Sequence, residues 1–300
     1  MTKILIDYSQ KVISSASAIA KDLKGPDAEL LLKHSTLFQL LKLKKKFNGE
    51  VIIAVDSRDS YWRTSNFPSY KKHRKHEKAK SDFLDWALVG RTMDSLKEDL
   101  KENFKFKILE CKGAEADDIF GVLCKHSQEN NLVACGLFDE PEDIVIDTTD
   151  GDMSQLLKYK NVKQWNNVKD SFVECKDPIA LLNEHICRGD SGDNIPSILT
   201  SDQWSIDRAN GIPPTRQKPF KSDRLEEFRI NGIDACKTED ERVQYLRNKR
   251  LIDLSEIPDK IYTDIIEGYN NIQINGNSNK ILSYLSKNRM KSLLDHVNQF

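Results

Sequence analysis

One segment, Ile144-Val145-Ile146-Asp147-Thr148-Thr149-Asp150-Gly151-Asp152-Met153-Ser154-Gln155-Leu156, indicates how the chain is organised. It begins with apolar, β-branched residues, which predict a buried strand. The strand leads into an Asp-Gly-Asp turn, and a helical stretch is expected after it. Ligands of open α/β sheets bind beyond the carboxyl ends of the strands. Asp150 and Asp152 are therefore expected at a ligand site.

Two earlier strands also end in acids. Lys3–Asp7 and Val51–Asp56 are short apolar segments, and the apolar spacing over Asp27–Phe47 predicts an amphipathic helix between them. A strand, a helix and a second strand indicate a parallel pair joined by a crossover. Asp7 and Asp56 should consequently lie at the same edge of one sheet.

A second crossover helix over 82–104 and a third strand over 106–110 precede the segment Gly113-Ala114-Glu115-Ala116-Asp117-Asp118. Acids in a first helical turn are often only caps that favour the helix dipole. Three acids in four residues exceed what a cap needs, so a role in the site is favoured. An irregular connection is expected over Leu132–Asp143.

Beyond the Asp-Gly-Asp turn, the sequence predicts two short strands, Val162–Trp165 and Phe172–Cys175, and a helix over Asp177–Cys187. A glycine-rich loop, Arg188–Pro196, then carries Asp190 and Asp193. The later sequence predicts mostly helices, over 224–231, 239–248, 259–269 and 279–297.

The charge balance excludes little, because 31% of the residues are charged and the formal net charge is only -1. The distribution is more informative, since Lys71–Lys80 is strongly basic and follows the aromatic-containing segment Ser57–Tyr70. Few residues of 57–80 are expected to reach a core. A solvated charged face is one interpretation; nucleic-acid binding is the other, with cations on phosphates and aromatic rings on bases.

The six cysteines are scattered and no pair has the spacing of zinc ligands. Buried, reduced thiols are the favoured interpretation. The sequence contains neither a signal-peptide pattern nor an apolar run long enough to span a bilayer. We therefore expect a cytoplasmic protein that does not contact membranes, in the host cytoplasm if a phage encodes it.

Nine acids gather at strand ends and in loops: Asp7, Asp56, Glu115, Asp117, Asp118, Asp150, Asp152, Asp190 and Asp193. Their repulsion would raise their pKa values unless cations neutralise them. An all-oxygen set suits Mg²⁺ or Mn²⁺ rather than Zn²⁺, and the six histidines fall outside these motifs. Two such ions, roughly 3.5–4 Å apart, can support phosphodiester cleavage.

The order of these motifs resembles the 5′-nuclease (flap endonuclease) family, in particular its branch of ribonucleases H from T-even-like bacteriophages. Further segments support that branch and extend the resemblance over nearly the whole chain: Ser60-Tyr61-Trp62-Arg63, Asn161–Trp165, Leu251–Asp253, Ile257–Asp259 and Lys280–Tyr284.

The resemblance implies a PIN-like α/β nuclease domain over 1–188, with a mainly parallel sheet flanked by helices and a helical arch at about 57–80. A smaller, all-helical domain over 189–300 would bind duplex DNA. The implied activity is a metal-dependent 5′→3′ exonuclease and flap endonuclease on RNA–DNA and DNA–DNA duplexes. Its implied role is removal of RNA primers from lagging-strand fragments.

The resemblance also implies residue roles. One Mg²⁺, replaceable by Mn²⁺, would be held by Asp7, Asp56, Glu115, Asp117 and Asp150. The second would be held by Asp152, Asp190 and Asp193, with Asp150 between the two ions and Asp118 acting through water. Lys71 and Arg74, expected to share a helix face, would stabilise the charge of the transition state at the scissile phosphate. Tyr70 would stack on a terminal base, and the remaining nucleic-acid contacts would come from Lys72 and Lys75.

Two features depart from the family pattern. Ser197–Asn210 separates the Gly-Asp-x-x-Asp-Asn loop from Gly211-Ile212-Pro213-Pro214, an altered form of the glycine-rich hairpin that binds duplex backbone, often with potassium. The chain also starts almost directly at its first strand, without a longer segment that could carry a clamp-docking peptide. A monomer is expected, with the single-stranded-DNA-binding protein and the sliding clamp of the replisome as candidate partners.

Two other classes of protein share part of this sequence pattern. An aspartyl-phosphate phosphohydrolase also places acids at strand ends, but it typically needs a second Asp two positions after its nucleophile, where Ser9 stands after Asp7. A catalytically silent DNA-junction-binding protein is the other alternative. The full set of mutually repelling carboxylates favours the nuclease over such a binder.

Overall fold

Six strands form one sheet in the structure, a computed structural model that describes residues 2–59, 61–79, 83–134 and 142–300, without the side chains of 78, 79 and 129–134. Their order across the sheet is β3-β2-β1-β4-β5-β6. The strands are β1 Lys3–Asp7, β2 Glu50–Val55, β3 Lys107–Glu110, β4 Ile144–Asp147, β5 Val162–Asn166 and β6 Ser171–Phe172. All neighbouring pairs are parallel except β5 and β6, which confirms the mainly parallel sheet.

Helices connect and cover these strands. The α-helices are α1 Tyr8–Ala18, α2 Ala28–Phe47, α3 Trp62–Asn66, α4 Arg74–Ala79, α5 Trp86–Asn103, α6 Ala116–Ala134, α7 Pro178–Arg188, α8 Gln203–Ala209, α9 Ser222–Asn231, α10 Glu239–Ile252, α11 Asp259–Asn270, α12 Ser278–Lys287 and α13 Lys291–Leu294. Four 3₁₀ helices add to them: Gly151–Lys158, Gly232–Ala235, Leu254–Glu256 and Val297–Gln299.

The strand order places the site at one edge of the sheet. β1 lies between β2 and β4, so the chain runs outward in one direction through β2 and β3 and in the other through β4 and β5. Asp7 pairs with Ala54 of β2, and Ile6 pairs with Asp147 of β4. The carboxyl ends of these three strands are therefore level, and the crevice lies where the order reverses.

Apolar clusters cover both faces of the sheet. On one face α1, α2 and α5 pack together with α12, and Phe104 meets the ring of Phe300 edge-on at 5.2 Å. On the other face α6 and the 3₁₀ helix Gly151–Lys158 pack with α11. The predicted helix-flanked sheet is confirmed, and the last helices of the chain complete its core.

A third apolar cluster lies beside the site. It joins α7, α9 and α10 to Phe67 and Tyr70 of the arch segment and to Ile195 of the glycine-rich loop. Helices are the only regular elements among the described residues beyond β6, as expected. The division of the chain at 188–189 stays a prediction, because residues of α11 to α13 belong to the apolar clusters that cover the sheet.

The structure corrects several predictions of local structure. The segment 57–80 does reach a core, since Trp62, Phe67 and Tyr70 are buried. The serine-rich α1 was not predicted. Its hydroxyls donate to carbonyls one turn back, as the buried Ser15 does to Lys11, so these polar side chains are satisfied within the helix itself. The final helix is broken, because Arg289 adopts a left-handed conformation with φ of 55°.

Two further predictions fail at the ends of elements. The strand expected over Phe172–Cys175 is only the two-residue β6 at Ser171–Phe172. The irregular connection expected over Leu132–Asp143 overlaps the end of α6, which continues to Ala134. Its residues 135–141 lie outside the described part of the chain.

The described cysteines are free thiols: Cys111, Cys124, Cys175, Cys187 and Cys236. Three of them are buried and two are partly exposed, while Cys135 lies outside the described residues. Among the described helices, none is long and apolar enough to cross a membrane.

Gly189 ends α7 and gives the first test. It has a φ of +70°, and a Cβ there would lie 2.4 Å from the carbonyl oxygen of Pro196. Because both the dihedral and the contact exclude a side chain, Gly189→Ala should lower the free energy of unfolding by about 2–4 kcal/mol. Urea denaturation measures this value.

Gly90 provides the matched control, because it lies in the exposed part of α5 with nothing within 4 Å of an added Cβ. Gly90→Ala should stabilise the protein by about 0.5–1 kcal/mol. Equal effects of the two substitutions would contradict the strained position assigned to Gly189.

Candidate metal centre

Backbone contacts fix several of the predicted acids. Asp7 accepts the amide of Gln10 at 2.9 Å and so caps α1. Asp150 accepts the amide of Asp152 at 2.9 Å and caps the following 3₁₀ helix. Each cap occupies one carboxylate oxygen, which leaves the other available to a ligand.

Asp190 and Asp56 are held in a similar way. Oδ1 of Asp190 accepts the amides of Gly192 at 2.7 Å and Asp193 at 3.2 Å. Asp56 accepts the amide of Ala116 at 2.9 Å and the hydroxyl of Ser9 at 2.9 Å. The acidic edge is consequently preorganised by the fold, without long flexible side chains.

One pocket of about 410 Å³ collects most of these acids. Its lining includes seven predicted acids and three cationic or imidazole side chains: Asp7, Asp56, Asp117, Asp150, Asp152, Asp190, Asp193, Lys71, Arg74 and His185. Larger pockets elsewhere lack this chemistry, so size alone does not identify the site.

Four of the acids have raised pKa values because burial removes water and neighbouring carboxylates repel them. The pKa of Asp7 rises to about 7, chiefly by burial and then by Asp56. The pKa of Asp152 rises to about 8 by burial and by Asp150. Burial is also the main cause for Asp117 and Asp190. These four groups form the part of the pocket that most lacks positive charge.

Asp193 behaves differently because cations surround it. Burial alone would raise its pKa, but Lys71 and Arg74 outweigh that effect and lower it. Arg74 Nη2 lies 2.6 Å from Oδ1 of Asp193, and Lys71 Nζ lies 3.4 Å from Oδ2. The hydroxyl of Tyr70 also donates to Oδ2, at 2.8 Å.

Glu115 and Asp118 lie behind the pocket, 3% and 0% exposed. Arg63 pairs with both, at 2.8 Å from each carboxylate, and donates to the carbonyl of Leu251 at 2.7 Å. Asp118 also accepts the amide of Glu115 at 2.9 Å, so it acts as a cap in this structure. Arg63 belongs to the segment Ser60–Arg63 that supports the resemblance, but its pairing with these acids was not predicted.

The arch residues differ from expectation in two respects. Lys71 has a φ of 54° and lies in a turn before α4, which begins at Arg74, so the expected shared helix face is wrong. Tyr70 is only 4% exposed, and its ring is therefore not available for stacking on a base in this conformation. Lys72 and Lys75 are exposed, as a contact with nucleic acid would need.

The arch is nevertheless joined to the acidic loop. The amide of Lys71 donates to the carbonyl of Asp193 at 3.0 Å, and the Asn194 side chain donates to the carbonyl of Ser69 at 2.9 Å. The Ser197–Asn210 insertion contains α8, whose Arg208 pairs with Glu77 of α4 at 3.1 Å. The insertion therefore contacts the arch.

His185 is the site residue that the sequence analysis missed. All six histidines were expected to fall outside the acidic motifs, but His185 lines the pocket between Asp152 and Asp190. Its position five residues before Asp190 was the available signal, since the end of a helix and the loop that follows it share one neighbourhood.

The donor set fits hard divalent cations. The pocket offers carboxylate oxygens, and four of its carboxyl groups have pKa values raised by burial and by neighbouring charges. Mg²⁺ and Mn²⁺ prefer such ligands. Among the described residues, one group of three has ligand atoms all within 4.8 Å of one another: Asp152, His185 and Asp190.

Comparisons with known proteins define the class. Residues 5–184 match the family described as 5′-3′ exonuclease, N-terminal resolvase-like domain, and residues 179–300 match the family described as T4 RNase H, C terminal. The chain belongs to the 5′-3′ exonuclease family, a family of nucleases, which confirms the resemblance drawn from the acidic motifs.

Two known proteins have sequences similar to this chain. The chain is 28% identical over 305 residues to the ribonuclease H of Enterobacteria phage T4, covering 99% of this chain and 95% of that protein. It is 29% identical over 176 residues to the flap endonuclease Xni of Shewanella denitrificans, covering 56% of this chain and 62% of that protein.

Solved structures share the fold. A bacteriophage T5 flap endonuclease, in a pseudo-enzyme-product complex with DNA and metal ions, aligns with a TM-score of 0.60 and 17% identity, covering 90% of this chain and 100% of that one. The T5 5′-exonuclease with bound zinc aligns with a TM-score of 0.59, 17% identity and the same coverage.

The raised pKa values predict how stability depends on pH in metal-free protein. Asp7 and Asp152, with pKa values of about 7 and about 8, hold protons in the folded state that the unfolded chain has released. The folded state then binds more protons between about pH 4 and pH 8, so stability should fall as pH rises through this range. Urea denaturation in EDTA at pH 5 to 8 measures the effect.

Asp152→Asn removes one of these titrations and should stabilise the metal-free protein at pH 8 by about 1–2 kcal/mol. Asp22→Asn is the control, because Asp22 is exposed and remote from the pocket, and it should leave the pH dependence unchanged. A metal-free stability that rises from pH 6 to pH 8 would contradict the assigned repulsion.

Proposed function

We propose that this protein is a Mg²⁺-dependent 5′→3′ exonuclease and flap endonuclease acting on RNA–DNA and DNA–DNA duplexes, with Mn²⁺ able to replace Mg²⁺. The proposed role is removal of RNA primers from lagging-strand fragments during replication. The observation that carries the proposal is one pocket in which carboxylates without a paired cation lie together with Lys71 and Arg74. Family membership and the phage T4 relative support the reaction class.

The ligands are proposed in two sets. Asp7, Asp56, Asp117 and Asp150 would bind the first ion, with Glu115 joining them once it is released from its cations. Asp152, Asp190 and Asp193 would bind the second, with Asp150 between the two ions. When bound, the pair of ions activates a water and stabilises the leaving oxygen.

Lys71 occupies a position suited to the reacting phosphate. It pairs with Glu115 and Asp193, two acids whose charge is already balanced in this structure. A phosphate entering the pocket would compete for this ammonium group, and ions would take over its carboxylate partners. Lys71 and Arg74 would then face the developing charge on the scissile phosphate.

The substrate end is proposed to enter beside the arch. Lys72, Arg74 and Lys75 project from this segment with exposed side chains. Their contacts would be to phosphates, which position a strand without reading its sequence. Helix α8 of the proposed duplex-binding region is joined to the arch through the ion pair of Arg208 and Glu77.

A catalytically silent DNA-junction-binding protein is the alternative. It would need the basic arch but would gain nothing from a group of buried acids that raise one another's pKa values. The structure keeps seven predicted acids in one pocket, an arrangement that favours the nuclease.

Asp150→Asn gives the direct test. The substitution should reduce cleavage of a 5′-labelled RNA–DNA hybrid and of a 5′-flap DNA duplex by at least about 100-fold, because it weakens the carboxylate proposed to lie between the ions. Binding of the uncleaved substrate should persist. Gel analysis in magnesium, with EDTA as the metal-free arm, measures both.

Short 5′ products that require metal and vanish in Asp150→Asn would support the nuclease. Tight binding by the wild-type protein without cleavage, in both magnesium and manganese, would leave the silent junction binder as the better description.

The arch cations give a second test. Lys71→Ala and Arg74→Ala should each lower the single-turnover cleavage rate by about 100-fold, because each removes a positive charge beside the pocket. Lys75→Ala is the matched control, because this exposed lysine is proposed to contact phosphates but lies outside the pocket lining. It should weaken substrate binding, while the cleavage rate at saturating protein should change by less than about 3-fold. Equal losses in all three variants would indicate general electrostatic attraction instead.

A further inference from the structure

We propose that His185 is a ligand of the second ion, so that this ion is bound by mixed nitrogen and oxygen donors and prefers Mn²⁺ to Mg²⁺. The inference rests on the proposed metal-dependent function and concerns the selectivity of one of its two sites. It starts from the one group of described residues whose ligand atoms converge, Asp152, His185 and Asp190.

The distances suit an ion better than direct hydrogen bonds. Nδ1 of His185 lies 3.3 Å from Oδ1 of Asp152, and Nε2 lies 3.8 Å from Oδ2 of Asp190. Both exceed the usual 2.7–3.2 Å of an N–H···O bond. Ligands at about 2.1 Å from one octahedral ion are about 3 Å apart when adjacent and about 4.2 Å apart when opposite. A single nitrogen of the imidazole would bind the ion, and one ligand atom from each of the three residues already lies within 4.8 Å of the others, close to that range.

The backbone holds the three side chains in place. His185 lies in the last turn of α7, which ends at Gly189 directly before Asp190. Asp152 lies in the first turn of the 3₁₀ helix that packs against α7. Asp190 is fixed by the amides of Gly192 and Asp193, which occupy its Oδ1 and leave Oδ2 towards the imidazole. The geometry therefore does not depend on a mobile loop tip.

The imidazole changes the preference of the site. Oxygen-only ligand sets suit Mg²⁺, whereas an imidazole nitrogen raises affinity for transition metals in the order Mn²⁺, Fe²⁺, Co²⁺. The proposed first-ion set of Asp7, Asp56, Glu115, Asp117 and Asp150 contains no nitrogen donor. The two sites should consequently differ, with the second binding Mn²⁺ more tightly relative to Mg²⁺ than the first.

A different role for His185 is an outcome of the test. The imidazole could instead serve only as a hydrogen-bond partner of Asp152 and Asp190, which would release it when the ion binds. In that case the ring would leave the ion, and the bound metal would have no nitrogen neighbour. Pulsed electron paramagnetic resonance distinguishes the two roles, because ¹⁴N modulation of bound Mn²⁺ reports a directly bound imidazole.

The experiment uses the full chain loaded with Mn²⁺, without nucleic acid. Wild-type protein should show ¹⁴N modulation, and His185→Gln should lose it together with at least about 10-fold in Mn²⁺ affinity at one site, while Mg²⁺ affinity changes less than about 3-fold. His34→Gln is the matched control, because His34 bonds to Ser292 away from the pocket. It should retain the modulation.

Absence of ¹⁴N modulation in wild-type protein that has bound two Mn²⁺ ions would overturn the proposal, whether or not His185→Gln folds. Modulation that persists in His185→Gln would overturn it as well. Because the readout is independent of cleavage, nitrogen-bound Mn²⁺ in a protein that does not cleave would keep His185 as a ligand and reject only the nuclease. Cleavage without nitrogen coordination would keep the nuclease and reject only the role of His185 as a ligand.

Discussion

Repulsion among carboxylates at the carboxyl edge of the sheet is the constraint around which the site is built. Asp7 and Asp190 each give one oxygen to backbone amides, which offset only part of the effect by which burial and neighbouring carboxylates raise their pKa values. Asp193 tolerates the repulsion through Lys71 and Arg74. The structure thus divides the acids into a group paired with Lys or Arg side chains and a group that has no such positive partner. This division determines where metal cations are needed.

The group paired with Lys or Arg links the site to the rest of the molecule. Arg63 holds Glu115 and Asp118 and also reaches the carbonyl of Leu251 in α10. Lys71 and Asn194 tie the arch segment to the acidic loop. A change in charge at the pocket therefore alters residues that directly contact both the arch and the later helices, so no long-range electrostatic effect is required.

The sequence was sufficient for the parts of the fold that follow from periodicity and strand order. Asp7, Asp56 and Asp150 could be placed together because parallel strands that end in acids share an edge. The orientation of Glu115 and Asp118 could not be predicted, because their partner Arg63 is distant in sequence and the pairing arises only from packing. His185 was missed for the same reason: its acids belong to separate motifs. The left-handed turn at Lys71 carries no glycine signal, so a regular helix was the natural prediction.

The ring cluster of Phe104, Phe106 and Phe300 has a consequence for how the protein is made. The cover of one face of the sheet is completed only when α12 and the residues after it arrive, because Ile281, Leu285 and Phe300 belong to the same buried cluster as β1. At ordinary translation rates, roughly 10–40 s separate synthesis of Phe104 from that of Phe300. During this interval the growing chain carries an incompletely covered apolar surface, so its yield in a cell is expected to depend on translation speed and chaperone supply as well as on the stability of the finished protein.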